Sequence, residues 1–456
     1  MTDIRRSAGS SITCKLLRAA VLFAIGPLLL GAICTGGDDS KLPDLEPFTA
    51  EQEQRLHEIR DIAASVRGLV VNEETVEGTL SRAIFRAYID EVYAKLDDDD
   101  RAEIDAFNVA LRLLHLIGPD DDILELVSED DGSSILGLYL FKENRLVLIA
   151  DSGADIDPFN EMILVHEYVH SFQDSAFDSE KLYGLAENDD NDGRTEYDTT
   201  VSCLKEGDAS LTVVLYMEEV YGDDWQDVVF TDDVDEDEEA EATLPPALER
   251  YNSFNYIECT RFVNTLYRDG GWEAVNAAYQ NPPRTTEQIL HPDKFLAREA
   301  SRNPAPASIE DTLGEGWSLF DLSPFGEFDV YNYLATILED EFVAAQAADG
   351  WGSGSTALYV QDQDDIVGDP TVLVHLRLDW DSTLDFLEFL AVFGEVINIV
   401  SDGELEMDQV AATLQWENIG EYGYVTWNET LNRVDVVISS ERQPRDNAMA
   451  AQVLRP

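Results

Sequence analysis

Hydrophobic and polar positions alternate along this chain with two periods, 3.6 and 2, and the stretches that carry each predict its elements. Residues 159–172 contain neither Gly nor Pro, and Met162, Ile163, Val165, Val169 and Phe172 supply apolar positions at helical spacing. Asp157 followed by Pro158 marks the start of that helix, as an N-cap and a first helical residue. The same periodicity predicts helices over 51–66, 80–96 and 101–117, the last with Ala106, Val109, Ala110, Leu113 and Leu114 on one side. The acidic residues 97–100 between two of these read as a solvated loop. Apolar runs at 135–141 and 145–149, separated by Lys142-Glu143-Asn144, predict a hairpin of a small sheet.

Further along, helices are expected over 245–268 and 272–279, divided at Gly270-Gly271, with a short one capped by Thr285 or Thr286 and ending at His291. Beyond about residue 320 the texture changes. A helix over 329–345 is followed by a tight glycine turn at 351–355, strands at 357–360 and 372–377, and a helix over 382–393. Two more strands fall at 422–427 and 433–438. The glycine turn lacks the Lys-Ser/Thr of a phosphate loop. This pattern is that of an α+β chain.

The expected helix over 159–172 carries the most informative chemistry. His166-Glu167-Tyr168-Val169-His170 is an HExxH motif, in a chain with only six histidines among 456 residues. Positions i and i+4 share a helix face, so the two imidazoles can grip one metal ion while Glu167 takes a proton from an activated water. Asp174, four residues beyond His170, is placed to accept from the ring nitrogen that faces away from the metal. A catalytic zinc needs a third protein ligand. The pattern that would supply a third histidine fails, because Gln173 stands at its glycine and Ala176 at its histidine. A Glu in the helical segment 204–211, packed against the motif helix, would complete a His, His, Glu set.

In this respect the chain resembles the gluzincin-type zinc metallopeptidases, where a second helix donates a Glu. The resemblance implies His166, His170 and Glu206 as zinc ligands and Glu167 as general base. Asp208 is the rival third ligand, which would make the site aspzincin-like, and Glu196 and Asp198 are further alternatives. The segments HEYVHSFQD, KEGDAS, PPRTTEQILHP, GWGSGSTALYV and DWDSTLDFLEF together resemble exported bacterial proteins of metallopeptidase-like kind, over most of residues 55–400. Zincins bind extended peptides along a sheet edge near the motif helix, so the hairpin at 135–149 is either such an edge or a wholly structural element. His291, the only histidine between the motif helix and His375, is the candidate donor to a developing oxyanion, with Tyr256 and Tyr251 as alternatives.

Composition then narrows location and partners. Arg5, Arg6, Lys15 and Arg18 precede an apolar stretch over 19–33, the pattern of a secretory signal. Cys34, followed by a polar tail, resembles the lipid-bearing residue of a lipoprotein, although Ile33 occupies the position usually held by a small residue. Export into an oxidising compartment makes Cys203 and Cys259 a candidate disulfide, with two buried thiols as the alternative. Residues 187–193 resemble part of a Ca2+ loop, but Asn188 replaces its first Asp and Thr199 its last Glu. The acidic run 232–241 reads as a solvated linker. A formal net charge of −63, with 93 acidic against 30 basic residues, excludes a general nucleic-acid binder. Such an acidic surface with only seven lysines suits a high-salt medium, where screening relieves its self-repulsion.

The expected organisation is a signal segment over 1–34, a tether over 35–50, a mostly helical zincin-like domain with a small sheet over 51–320, and a smaller C-terminal α+β unit over 321–456. The expected activity is extracytoplasmic, membrane-tethered, zinc-dependent hydrolysis of peptide or protein. The alternatives are a zinc amidase acting on another amide and an envelope protein that keeps the scaffold for binding.

Overall fold

The computed structural model describes residues 42–71, 74–179, 181–183, 196–230, 244–300, 308–361, 369–401, 405–408 and 412–451. The expected signal with Cys34, the calcium-like stretch 187–193 and the acidic run 232–241 lie outside the described residues. Residues 42–50, read from sequence as the end of a tether, instead pack on the fold. Leu42 and Phe48 are buried, and the backbone of Glu46 pairs with that of Thr79.

Helix α1 (Ala50–Arg67) stops at Gly68, whose left-handed φ of 71° suits a residue without a Cβ. Strand β1 (Val76–Leu80) follows, then helices α2 (Arg82–Ala94), α3 (Asp98–Leu113) and α4 (Ile123–Ser134). The acidic residues 97–100 are not a loop. Asp97 caps α3 by accepting from the Asp100 amide, and Asp100 accepts in turn from the Asp97 amide, a capping box. The expected hairpin is present as β2 (Gly137–Leu140) and β3 (Arg145–Ile149). Strand β1 joins it in parallel, giving the order β1-β3-β2 and leaving β2 at an edge.

Helix α5 (Pro158–Phe177) carries the motif and α6 (Tyr197–Tyr221) runs beside it, followed by the short α7 (Gln226–Val229). Helix α8 (Pro246–Gln280) is broken at Gly270 and Gly271, as expected, with φ of 64° at Gly271. Helix α9 (Thr286–Leu290) is capped by the Thr285 hydroxyl, and α10 (Pro292–Ala297) and α11 (Glu310–Leu313) complete this half.

The remainder is β4 (Trp317–Pro324), α12 (Glu327–Leu338), α13 (Glu341–Ala348), β5 (Trp351–Gln361), β6 (Val372–Trp380), α14 (Thr383–Val400), β7 (Leu405–Asp408), β8 (Thr413–Asn418), β9 (Glu421–Asn428), β10 (Arg433–Ser439) and α15 (Arg442–Met449). Its strands form one antiparallel sheet in the order β4-β5-β6-β10-β9-β8-β7, so the fold is α+β. The helix expected over 329–345 divides where Glu339 turns left-handed and Asp340 caps α13. The expected glycine turn at 351–355 is instead the start of β5. Gly354 is needed there because a Cβ would lie 2.2 Å from the Phe325 carbonyl oxygen.

The larger sheet is covered on both faces. Along β6, Val372, Val374, Leu376, Leu378 and Trp380 join one buried cluster that also contains Phe107 of α3, Val147 of β3, Leu334 of α12 and Phe389 of α14. Leu373 on the opposite face joins Leu313 and Ala448 beneath α11 and α15. One core therefore runs from the N-terminal helices into the C-terminal sheet, and the expected boundary at residue 320 falls inside β4. No helix among the described residues is long and apolar enough to cross a membrane.

Candidate metal centre

The α5 helix begins where Asp157 accepts a 2.8 Å bond from the Asn160 amide, with Pro158 in the first turn. Its buried face, Leu164, Val165, Tyr168 and Phe172, packs in one cluster with Ala209, Val213, Tyr216 and Met217 of α6. Continuing that α6 face one turn toward its N-terminus brings Glu206 opposite the motif histidines. Glu206 Oε2 lies 2.9 Å from His166 Nε2, and Oε1 lies 3.3 Å from His170 Nε2. The imidazole centroids are 4.7 Å apart and nearly perpendicular.

Helix α8 fixes α6 from behind. Cys203 and Cys259 are disulfide-bonded, and Gly207 lies so close to α8 that a Cβ would sit 2.2 Å from the Cys259 carbonyl oxygen. Positions 203 and 207 share a helix face, so the bond and the glycine together hold Glu206 on the α5 side.

The donor set fits a zinc ion. One ligand atom from each of His166, His170 and Glu206 lies within 4.8 Å of the other two. Tetrahedral zinc with bonds of about 2.0–2.1 Å separates its ligand atoms by roughly 3.3 Å, close to the 2.9 and 3.3 Å contacts of Glu206 with the two imidazoles. The three side chains keep 12–17% of their surface exposed, which leaves one side open.

The proton on His170 is also placed. His170 Nδ1 meets Gln173 Oε1 at 3.0 Å. The Gln173 amide cannot be turned round, because its Nε2 donates to the Lys205 carbonyl (2.9 Å) and to Asp208 Oδ2 (3.1 Å). Nδ1 must then carry a hydrogen, which leaves Nε2, the nitrogen facing Glu206, as the one that can bind a metal. Asp174, the expected partner, serves elsewhere. Its oxygens accept from the Tyr139 hydroxyl and the Ser179 amide, and so tie the helix to the hairpin. Gln173 was read in sequence only as a departure from another pattern; its position three residues past His170 was the available signal.

Asp208, the rival third ligand, is engaged by other groups. It is wholly buried and receives Arg67 Nε and Nη2 at 2.5 and 3.0 Å together with the Tyr279 hydroxyl at 2.8 Å. Glu196 lies against α9 instead, accepting from the Thr286 amide and hydroxyl. His291 is likewise drawn away, with Nε2 2.8 Å from Glu327 Oε1, and Tyr251 donates to Asp329. Of the three candidate oxyanion donors, only Tyr256 is brought to the motif, its ring 6.3 Å from that of His166.

Glu167 is 8% exposed and lies against β2. The bond from the Ile149 amide to the Leu136 carbonyl sets the alternation of the hairpin, which turns the amides of 137 and 139 to the open edge. The Tyr139 amide there donates to Glu167. Gly137 allows the close approach, since a Cβ would meet Ile163 Cγ2 at 2.6 Å and Glu167 Cγ at 3.1 Å.

The electrostatics follow from this crowding. Burial, reinforced by Glu206, raises the Glu167 carboxyl above its ordinary value despite the two imidazoles. Burial would also raise Glu206, but His170 and His166 outweigh it and hold Glu206 well below the carboxylate range. Burial lowers His170, yet the carboxylates of Glu206 and Glu167 prevail and bring it to about 8. Desolvation around the Tyr256 hydroxyl, with Glu206 and Glu167 nearby, raises that phenol, so it keeps its proton at neutral pH even though 57% of the residue is exposed. No protein-family model matches this chain, and no curated protein or solved structure does either.

Proposed function

We propose that this protein is a zinc-dependent peptidase. The observation that carries the proposal is the convergence of His166, His170 and Glu206 from two packed helices, with Glu167 buried beside them. His166, His170 and Glu206 would hold the ion. When bound, zinc supplies Lewis acidity, which polarises a carbonyl and makes water more acidic.

The chain's own groups do the rest. Glu167, buried beside the two histidines, accepts a proton from water and passes it to the leaving amine. The Tyr139 amide and Gly137 keep its carboxylate against β2. Tyr256, protonated and facing His166, is the group best placed to donate to a developing oxyanion. The edge position of β2 supports an extended peptide as substrate, because a strand added there, beyond the Tyr139 amide that Glu167 occupies, would run past Glu167. The N-terminal basic and apolar segment supports export, with Cys34 as the lipid-bearing residue.

The test is hydrolysis of a broad peptide library by the zinc-loaded full chain. Cleavage that a chelator abolishes and zinc restores is expected. Tight zinc binding with no cleaved peptide would replace this reading with a binding scaffold, and cleavage confined to non-peptide amides would replace it with an amidase.

A further inference from the structure

We infer that His291, Glu327 and Asp349 form a second divalent-cation site, distinct from the motif centre, which fastens the helical half of the protein to its larger sheet. His291 links α9 to α10, Glu327 opens α12, and Asp349 closes α13 immediately before β5. His291 Nε2 lies 2.8 Å from Glu327 Oε1 and 3.8 Å from Asp349 Oδ1. One donor atom from each of the three lies within 4.8 Å of the other two.

A second observation points to a missing ligand. Glu327 is 3% exposed, and its Oε2 is buried without a hydrogen-bond partner. A carboxylate oxygen in that position costs free energy unless a proton or a cation satisfies it. The adjacent cation is already engaged, since Lys294 Nζ pairs with Glu287 and with Asp381. An ion beside His291 would meet the orphaned carboxylate and the imidazole together, and Asp349, 68% exposed, lies at the solvent side where it would enter.

The backbone holds the three donors in place. The His291 amide donates to the Glu287 carbonyl, and its own carbonyl accepts from Lys294. Gly326, just before Glu327, sits so tightly that a Cβ would fall 2.4 Å from Thr286 Oγ1. Gly350, just after Asp349, has a φ of 79°, a conformation that favours glycine. One imidazole with two carboxylates is a donor set for first-row divalent ions such as Zn2+ or Mn2+, without the thiolates that select softer metals.

The test is calorimetric zinc titration of the full chain after chelation, in molar sodium chloride to suppress diffuse binding by its net charge of −63. Wild type is expected to take up two zinc ions, and the His166→Asn/His170→Asn variant one. Asp349→Asn, at an exposed position, is expected to weaken one of the two wild-type sites at least about tenfold, and His291→Asn to abolish the same one. In the His166→Asn/His170→Asn background, zinc should raise the melting temperature, and adding Asp349→Asn should reduce that rise. The proposal is overturned if wild type binds one ion that disappears with the motif histidines, or if the second ion is indifferent to both Asp349→Asn and His291→Asn. Failure of the motif centre gives a different result: one wild-type ion that survives His166→Asn/His170→Asn.

Discussion

At the residue scale, the centre depends on side chains whose meaning came from different distances along the chain. His166, Glu167 and His170 were legible because a helix alone brings i and i+4 together. Gln173 was not, because its amide is oriented by the Lys205 carbonyl and by Asp208, both on another helix. Asp208 was ambiguous for the same reason: the arginine that claims it lies 141 residues away. His291 was open between an oxyanion donor and a structural hydrogen bond because its carboxylate partner is 36 residues downstream. These assignments separate two neighbouring positions. Gln173→Ala is expected to weaken zinc binding about ten- to a hundredfold by freeing the His170 ring, while Asp174→Asn leaves the affinity unchanged. Competition titration against a chromogenic chelator would measure both, and the reverse order would restore Asp174 as the partner of His170.

At the element scale, the helices expected from periodicity and the motif-side hairpin are present, since periodicity is local, whereas α4 and α15 carried no expectation. The failures came where residues with two uses took the one that tertiary structure required. Aspartates 97–100 suit a loop and also a helix N-terminus, and the packing of α3 against β6 selects the helix. Glycines 352 and 354 suit a turn, but at Gly354 the close approach of the Phe325 carbonyl requires glycine in a strand. Strand β1 is only five residues long, too short to show a period, and just its last residue, Leu80, falls within the helix expected over 80–96.

The junction of α6, α9 and α12 carries a pH dependence. Burial, with the nearby Glu327 adding repulsion, raises Glu196 from the ordinary 4.5 to about 7, even though it accepts from Thr286. Asp329 and Tyr251 also face this group. The folded state holds this proton more tightly than the unfolded one, so the contribution is present below about pH 4.5 and lost as pH rises through 7. Glu196→Gln, neutral at every pH, should match wild type near pH 4 and gain up to about 3 kcal/mol by pH 8. Denaturant unfolding at the two pH values would show it, and an advantage independent of pH would remove Glu196 as the cause.

At the scale of the whole molecule, composition established charge but not assembly. The sequence suggested a catalytic part and a smaller appended unit, whereas one buried cluster joins α2–α4, β3 and the larger sheet. Strand order in that sheet depends on pairings such as β6 with β10, which no local pattern encodes. The net charge of −63 burdens this compact body with self-repulsion that salt screens. Raising sodium chloride from millimolar to molar should therefore raise the melting temperature, and a steady fall would contradict this view of the acidic surface.

The central claim is that Glu167 moves the proton at a centre held by His166, His170 and Glu206. Its most direct test is the peptide turnover rate of zinc-loaded Glu167→Gln beside wild type, at equal measured zinc content. The expected result is a rate lower by about 10²–10⁴ with zinc retained, and an undiminished rate in the variant would contradict the account.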